Sequence, residues 1–113
     1  MSAKVFLDTN ILVYSYSVSE KDKRLTARKL ISETDSHIST QLLTELTNTL
    51  TRKFKLSFDE ALKAIKECCT NNYVFVNNPE TINGAIKIAD KYRFSFYDSL
   101  IISAALESDC KVL

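Results

Sequence analysis

The sequence predicts an α/β domain in which helices cover both faces of a parallel sheet. Two observations lead to this prediction. Short apolar segments that suit buried strands alternate with longer segments of helical spacing, which is the pattern of βαβ units. The chain has one Gly and one Pro, so few irregular loops are expected. Its 113 residues fit one domain, and residues 1–113 are therefore predicted to form a single unit.

The predicted elements follow one another along the whole chain. Strands are expected at residues 5–7, 37–39 and 73–76, and a fourth begins at residue 110. Helical segments are expected at 11–16, 24–33, 41–54, 81–92 and 97–108, and one more begins after Ser57. Ser57 and Glu60 form a capping-box pattern, in which each side chain satisfies the other residue's backbone N–H. The inward face of that helix is predicted to carry Phe58, Ala61, Leu62, Ile65 and Cys69.

Composition disfavours several classes of function. The formal net charge of +1 gives no overall attraction to nucleic acid or membranes, so a polyanion site would need a local cluster of cations. No apolar run suits a membrane span and no secretory leader precedes Val5, which predicts a cytoplasmic protein without a membrane partner. The three cysteines lack the spacing of a zinc site or a disulfide framework. No glycine-rich loop follows the first strand, which argues against dinucleotide and P-loop sites.

Two carboxylates directly adjoin or interrupt apolar segments of the chain. Asp8 directly follows the first strand, where it is either a turn or N-cap residue or a ligand-binding group at the carboxyl end of the sheet. Asp98 precedes the apolar residues 101, 102 and 105 by helical spacings, which places it near the middle of an apolar face. The alternative is that Ser95 and Asp98 form a capping box.

A third carboxylate, Glu45, lies at the edge of the apolar face of helix 41–54. Alone it is best interpreted as a solvated flank residue. Three convergent carboxylates without a basic partner repel one another unless a hard divalent cation lies between them, and Mg²⁺ or Mn²⁺ suits an all-oxygen site. The coincidence of Asp8, Glu45 and Asp98 therefore predicts a metal site at one end of the sheet.

The segments VFLDTNILVY, LLTEL and FSFYDSLIISAA resemble the three successive acidic motifs of PIN domains, and most closely those of VapC-type toxins from bacterial toxin–antitoxin pairs. The resemblance runs over nearly the whole chain. It implies a three-layer parallel α/β fold and metal-dependent cleavage of RNA phosphodiester bonds. It also implies that Asp8, Glu45 and Asp98 are metal ligands, with Thr9 and Asn10 in supporting roles. A homodimer and a cognate antitoxin whose tail enters the acidic groove are further implications.

One feature of the family has no counterpart in the sequence. PIN domains generally carry a fourth acidic residue just after the strand that begins here at Cys110, and then a last strand and helix. The chain reaches Leu113 before that position. Asp109 is no obvious substitute, because it precedes the strand and would lie at its other end. The chain is therefore expected to be either a fragment or a truncated member of the family, C-terminally shorter than the family domain, with weak metal binding and impaired cleavage.

Contact with RNA would need cations near the acidic residues. Arg52 follows Glu45 by about two helical turns on nearly the same face, so it is the preferred candidate. Arg24 and Arg28 belong to a second basic cluster and are weaker candidates. For Lys53 a solvated helix surface is the simpler interpretation.

Two other functions are consistent with the residues. A phosphatase of the haloacid dehalogenase type also begins with a strand that ends in Asp, and it would use Asp8 as a nucleophile. That class has a second Asp two residues later, where this chain has Asn10. The other alternative is a non-catalytic, truncated PIN module that binds an antitoxin or dimerises. Such a module would bind its partner without metal-dependent cleavage.

Overall fold

The computed structural model describes residues 4–113, which form four strands and six helices. In chain order these are β1 (Lys4–Phe6), α1 (Thr9–Ser15), α2 (Lys21–Glu33), β2 (Asp35–Ser39), α3 (Thr40–Arg52), α4 (Phe58–Asn71), β3 (Tyr73–Phe75), α5 (Pro79–Tyr92), α6 (Phe96–Glu107) and β4 (Lys111–Val112). All strand pairs are parallel, in the spatial order β3-β2-β1-β4. The predicted fold class is confirmed.

The inner strand β1 separates two parts of the core. Val5 and Leu7 pack among residues of α3 and α4, including Leu46. Phe6 points to the opposite face, where Ile101 and its neighbours on α6 cover it. This alternation is what a pleated strand requires when both faces of the sheet are covered. Helices therefore lie on both sides of the sheet, in three layers.

Side-chain caps fix the beginnings of several helices. Asp8 is the N-cap of α1, and its Oδ1 accepts a 3.0 Å hydrogen bond from the backbone N–H of Asn10. The predicted capping box of α4 is present, because Ser57 and Glu60 each bond the other's backbone N–H at 3.1 Å. Caps of this kind satisfy backbone donors that the first helical turn leaves free.

The buried face of α4 differs from the predicted one. Ala61 is buried as expected, but Phe58 is 81% exposed, and Leu62 and Cys69 are exposed too. Small residues instead form the inward stripe: Ala61, Ala64 and Cys68. A stripe of small side chains lets the helix lie close to its neighbours, so Phe58 and Leu62 are left on the outer side, whereas Ile65 packs against the core as predicted. The size of the apolar residues, and not only their spacing, decides which face is buried.

Helices α5 and α6 pack directly against each other. Gly84 of α5 faces α6, and a Cβ added there would lie 2.7 Å from the Ser103 Oγ. The Ser103 hydroxyl donates a 2.8 Å hydrogen bond to the Thr81 carbonyl oxygen. The helix α5 then ends at Arg93, whose φ of 61° places a non-glycine residue in the left-handed region.

Within residues 4–113 every helix is too short or too polar to cross a bilayer.

Candidate functional site

Three carboxylates from separate elements line one cavity of about 380 Å³ beyond the carboxyl ends of β1 and β2. They are Asp8 after β1, Glu45 on α3 and Asp98 on α6. The cavity is completed by Thr9, Asn10, Val13, Gln41, Thr49, Lys53, Tyr97 and Ile101. Parallel sheets bring the loops that follow neighbouring strands to one edge, which is where ligands bind in open α/β folds.

Asp8 takes the first of the two roles that the sequence left open, the N-cap, while ligand binding stays a prediction. It caps α1, and it also lines the cavity. Its backbone is held on the other side as well, because the Asp8 N–H donates a 3.1 Å hydrogen bond to the carbonyl oxygen of Leu113. The carboxylate is thus fixed between the start of a helix and the extension of β4.

Glu45 is held by one neutral donor on each carboxylate oxygen. The Thr9 hydroxyl donates to Oε2 at 2.8 Å, and the Gln41 amide donates to Oε1 at 2.7 Å. The same Gln41 amide nitrogen lies 3.5 Å from the carbonyl oxygen of Tyr97, next to Asp98. Gln41 therefore connects two of the three acidic motifs. Its position four residues before Glu45 on α3 is the signal that could have revealed it.

Asp98 lies at the exposed mouth of the cavity, which corrects its predicted place within an apolar face. It belongs to the first turn of α6, and its backbone N–H donates a 3.2 Å hydrogen bond to the Ser95 hydroxyl. Ile101 and Ala105 are buried one and two turns later. The helix enters the core only after its first turn, so a residue at helical spacing from the apolar set still remains in solvent.

The donor set suits a hard cation in its chemistry, since carboxylate oxygens are what Mg²⁺ and Mn²⁺ prefer. Across residues 4–113, no group of three His, Cys, Asp or Glu side chains is arranged to hold a metal ion. In this arrangement Glu45 has a hydrogen-bond donor on both oxygens. Ligation by Asp8, Glu45 and Asp98 therefore stays a prediction, and it requires these side chains to turn toward a common point or to bind through water.

The cation that lines the cavity is Lys53, at the end of α3, whereas Arg52 is not among the lining residues. Arg28 lies elsewhere. Its Nε donates a 2.8 Å hydrogen bond to the Ser15 carbonyl oxygen, and the residue lines a separate cavity of about 560 Å³ together with Tyr16. RNA contacts by Arg52, Arg28 and Arg24 stay predictions. Lys53 was assigned to a solvated helix surface; it is the C-cap that follows the last residue of α3, where ideal helical spacing no longer applies.

A family model for the PIN domain matches residues 5–113 of the chain. Among solved structures, the chain is similar to VapC20 of Mycobacterium tuberculosis, a toxin that cleaves the sarcin–ricin loop. The TM-score is 0.76 at 16% identity, over 94% of this chain and 84% of the toxin. It is also similar to VapBC2 of Rickettsia felis, solved bound to a promoter DNA fragment, with a TM-score of 0.70 at 15% identity over 96% of this chain and 85% of that one. No curated protein matches the sequence. Since the PIN model spans nearly every residue, this chain belongs to the PIN domain family.

Proposed function

We propose that the protein is a metal-dependent endoribonuclease of the VapC toxin type, with its active site in the cavity that Asp8, Glu45 and Asp98 line. One observation carries this proposal. In a member of the PIN domain family, three carboxylates that are distant in sequence come to a single cavity at the carboxyl edge of the sheet. Carboxylates grouped in this way repel an RNA phosphate, because both groups are negatively charged. A cation held by the carboxylates would allow the phosphate to bind.

A bound Mg²⁺ or Mn²⁺ would supply an activated water and would stabilise negative charge on the phosphate. The residues of the chain provide binding and orientation. Asp8, Glu45 and Asp98 are proposed to hold the metal, while Thr9 and Gln41 fix the direction of the Glu45 carboxylate.

Lys53 is proposed to attract a phosphate group of the substrate, since it lines the same cavity as the carboxylates. Asn10 is proposed to support Asp8, because its backbone N–H already bonds the Asp8 carboxylate. These two residues place one positive charge and one oriented hydrogen bond around a site that is otherwise acidic.

The proposed partners are an RNA substrate, a second copy of the chain and a cognate antitoxin. A cavity lined by carboxylates suits an arginine-bearing peptide, whose guanidinium group bonds carboxylates in pairs. The similarity to VapBC2 supports an antitoxin as a partner.

The test is cleavage of a structured RNA with Mn²⁺ or Mg²⁺, comparing Asp8→Asn with Asp109→Asn. Asn caps helices as well as Asp, so the first variant should fold. Asp109 is exposed and has a φ of 55°, a conformation that Asn also tolerates, which makes the second variant a matched control. We expect at least a roughly 100-fold loss of cleavage in Asp8→Asn and none in Asp109→Asn.

Two results would overturn the proposal. RNA binding by the folded protein without cleavage in either metal would identify a non-catalytic PIN module. Transfer of a phosphoryl group to Asp8 would instead support the phosphatase alternative.

A further inference from the structure

An unusually aromatic and exposed segment joins α5 to α6. Residues 92–97 contain four aromatic side chains, and we call these residues the aromatic segment. The exposed fractions are 54% for Tyr92, 49% for Phe94, 39% for Phe96 and 63% for Tyr97. Single exposed apolar residues are ordinary, but a contiguous group of this kind marks an interaction surface.

The rings of the aromatic segment are arranged in two pairs. Tyr92 and Phe94 are stacked, with centroids 5.8 Å apart and planes 19° apart. Phe96 and Tyr97 meet edge to face, also at 5.8 Å. Tyr97 in addition lines the cavity of the three carboxylates. The aromatic segment therefore begins at the mouth of the proposed active site and leads away from it.

Cations flank the Tyr92–Phe94 end of the aromatic segment, whereas Asp98 and the acidic cavity adjoin Tyr97 at its other end. Lys91 Nζ lies 5.2 Å from the centroid of the Tyr92 ring, and Arg93 stands between Tyr92 and Phe94 in the chain. Lys87 is one helical turn before Lys91, and the one carboxylate between residues 87 and 97 is Asp90. Aromatic faces interleaved with cations are the combination that binds single-stranded nucleic acid, because the rings stack on bases and the cations face phosphates.

Arg93 occupies a position that favours glycine. It ends α5 in the left-handed region, with φ 61° and ψ 31°, where a side chain costs energy that glycine avoids. An Arg at this position places a cation next to Tyr92 and Phe94 in the chain, at the expense of helix stability.

We propose that the aromatic segment is a stacking platform for unpaired RNA bases beside the cleavage site. The platform should therefore accept an unpaired strand and not a duplex. Bases inside a duplex have both faces covered by their neighbours and cannot stack on protein rings. This inference rests on the proposed function for its link to cleavage, whereas the binding itself needs no metal.

The experiment measures binding of a short single-stranded RNA, and of its duplex, to the full chain in EDTA by fluorescence anisotropy. The test variants are Tyr92→Leu and Phe94→Leu, since Leu keeps an apolar side chain but has no ring face. Phe58→Leu is the matched control, because Phe58 is an exposed aromatic residue on α4 outside the aromatic segment. We expect each test variant to raise the Kd for the single strand by about fivefold or more, and the control to leave it unchanged.

Arg93→Gly gives a second, independent readout. Glycine relieves the left-handed conformation, so this variant should melt at a higher temperature than the wild type while binding the single strand more weakly. A variant that is more stable and yet binds less well cannot owe its weaker binding to unfolding.

The proposal is overturned if both leucine variants bind the single strand as tightly as the wild type, or if the wild type binds the duplex as tightly as the single strand. It is also overturned if Phe94→Glu converts a dimer to a monomer while both leucine variants still bind RNA normally, which would identify a self-association surface. If the protein binds single-stranded RNA through the aromatic segment but does not cleave it, the proposed nuclease function is wrong and the stacking platform stands. If the wild type cleaves RNA and both leucine variants cleave it equally well, the stacking platform is wrong and the nuclease function stands.

Discussion

Thr9 donates a 2.8 Å hydrogen bond from its hydroxyl to Oε2 of Glu45, and this contact joins the segment after β1 to the helix after β2. The Gln41 amide bonds the other oxygen of the same carboxylate at 2.7 Å. Both donors are neutral, so they orient the charge of Glu45 without cancelling it. An acidic cavity can in this way keep its shape and remain attractive to a cation.

Replacing Thr9 by Val removes the hydroxyl and nearly preserves the side-chain volume. We expect Thr9→Val to lower the free energy of unfolding by about 1 kcal/mol, the scale of a partly buried hydrogen bond, and to reduce RNA cleavage. Thr9→Ser retains the donor and is the control. Urea unfolding and a cleavage assay on both variants measure the two effects. Equal behaviour of Val and Ser would show that the hydroxyl does not position Glu45.

Asp98→Asn tests metal ligation apart from catalysis. Removal of one negative charge from an acidic cavity relieves repulsion, so the metal-free protein should melt at the same temperature or slightly higher. A metal that binds only the folded state raises the melting temperature, and this Mn²⁺-induced rise should be smaller in the variant. Asp109→Asn should respond to Mn²⁺ as the wild type does. An undiminished response in Asp98→Asn would remove Asp98 from the ligand set.

The contact between Gly84 and Ser103 predicts a specific energetic coupling. In a helix Ala is favoured over Gly by about 1 kcal/mol, but an Ala Cβ at residue 84 would displace the Ser103 Oγ from its hydrogen bond, also worth about 1 kcal/mol. Gly84→Ala should therefore be nearly neutral alone and stabilising in a Ser103→Ala background. A double-mutant cycle from urea unfolding measures the coupling. Additive effects would mean that α5 and α6 separate easily.

The capping box of α4 predicts how one carboxyl group contributes to acid stability. The Ser57 backbone N–H, with help from the Ser57 side chain, holds the pKa of Glu60 below its usual value. The ionised form is thus favoured in the folded protein, so its stabilising contribution is complete above the unfolded-state pKa and is lost as pH falls through the folded-state pKa.

Glu60→Gln provides the test, because it keeps an acceptor for the box but cannot titrate. Between neutral pH and about pH 3, the wild type should lose more unfolding free energy than the variant does. Parallel losses in the two proteins would show that the box does not depend on the charge of Glu60.

Most of the fold could be predicted because its signals are local. Each predicted strand and helix is present, with ends shifted by up to a few residues. For example, the helix predicted from residue 24 begins at Lys21. The buried face of α4 could not be predicted from spacing, since Phe58 and Ala61 fit the same apolar pattern. Which of them faces inward depends on the distance between α4 and the elements packed against it, and the sequence alone does not give that distance.

The residues of the candidate site also divide into those that the sequence identified and those that it did not. Asp8, Glu45 and Asp98 were identified from apolar context and from resemblance to PIN domains, and the structure brings them to one cavity. Gln41 was not identified, although its spacing of four residues before Glu45 was a signal for the contact within α3. Lys53 was assigned to a solvated surface, and nothing in the sequence shows that the residue after the end of α3 faces the cavity.

The parallel pairing of β1 with β4 has a consequence for the order in which the molecule is completed. Val5 pairs with Lys111, and the Asp8 N–H bonds the carbonyl oxygen of Leu113, so one edge of the first strand stays open until the opposite end of the described chain arrives. Contacts this distant in sequence form late and slow the folding of a domain. The surroundings of Asp8 should therefore be finished last during synthesis, so the proposed active site would be complete only after β4 has paired with β1. Ribosome-bound chains that stop before residue 111 should show protease-sensitive β1 and no cleavage.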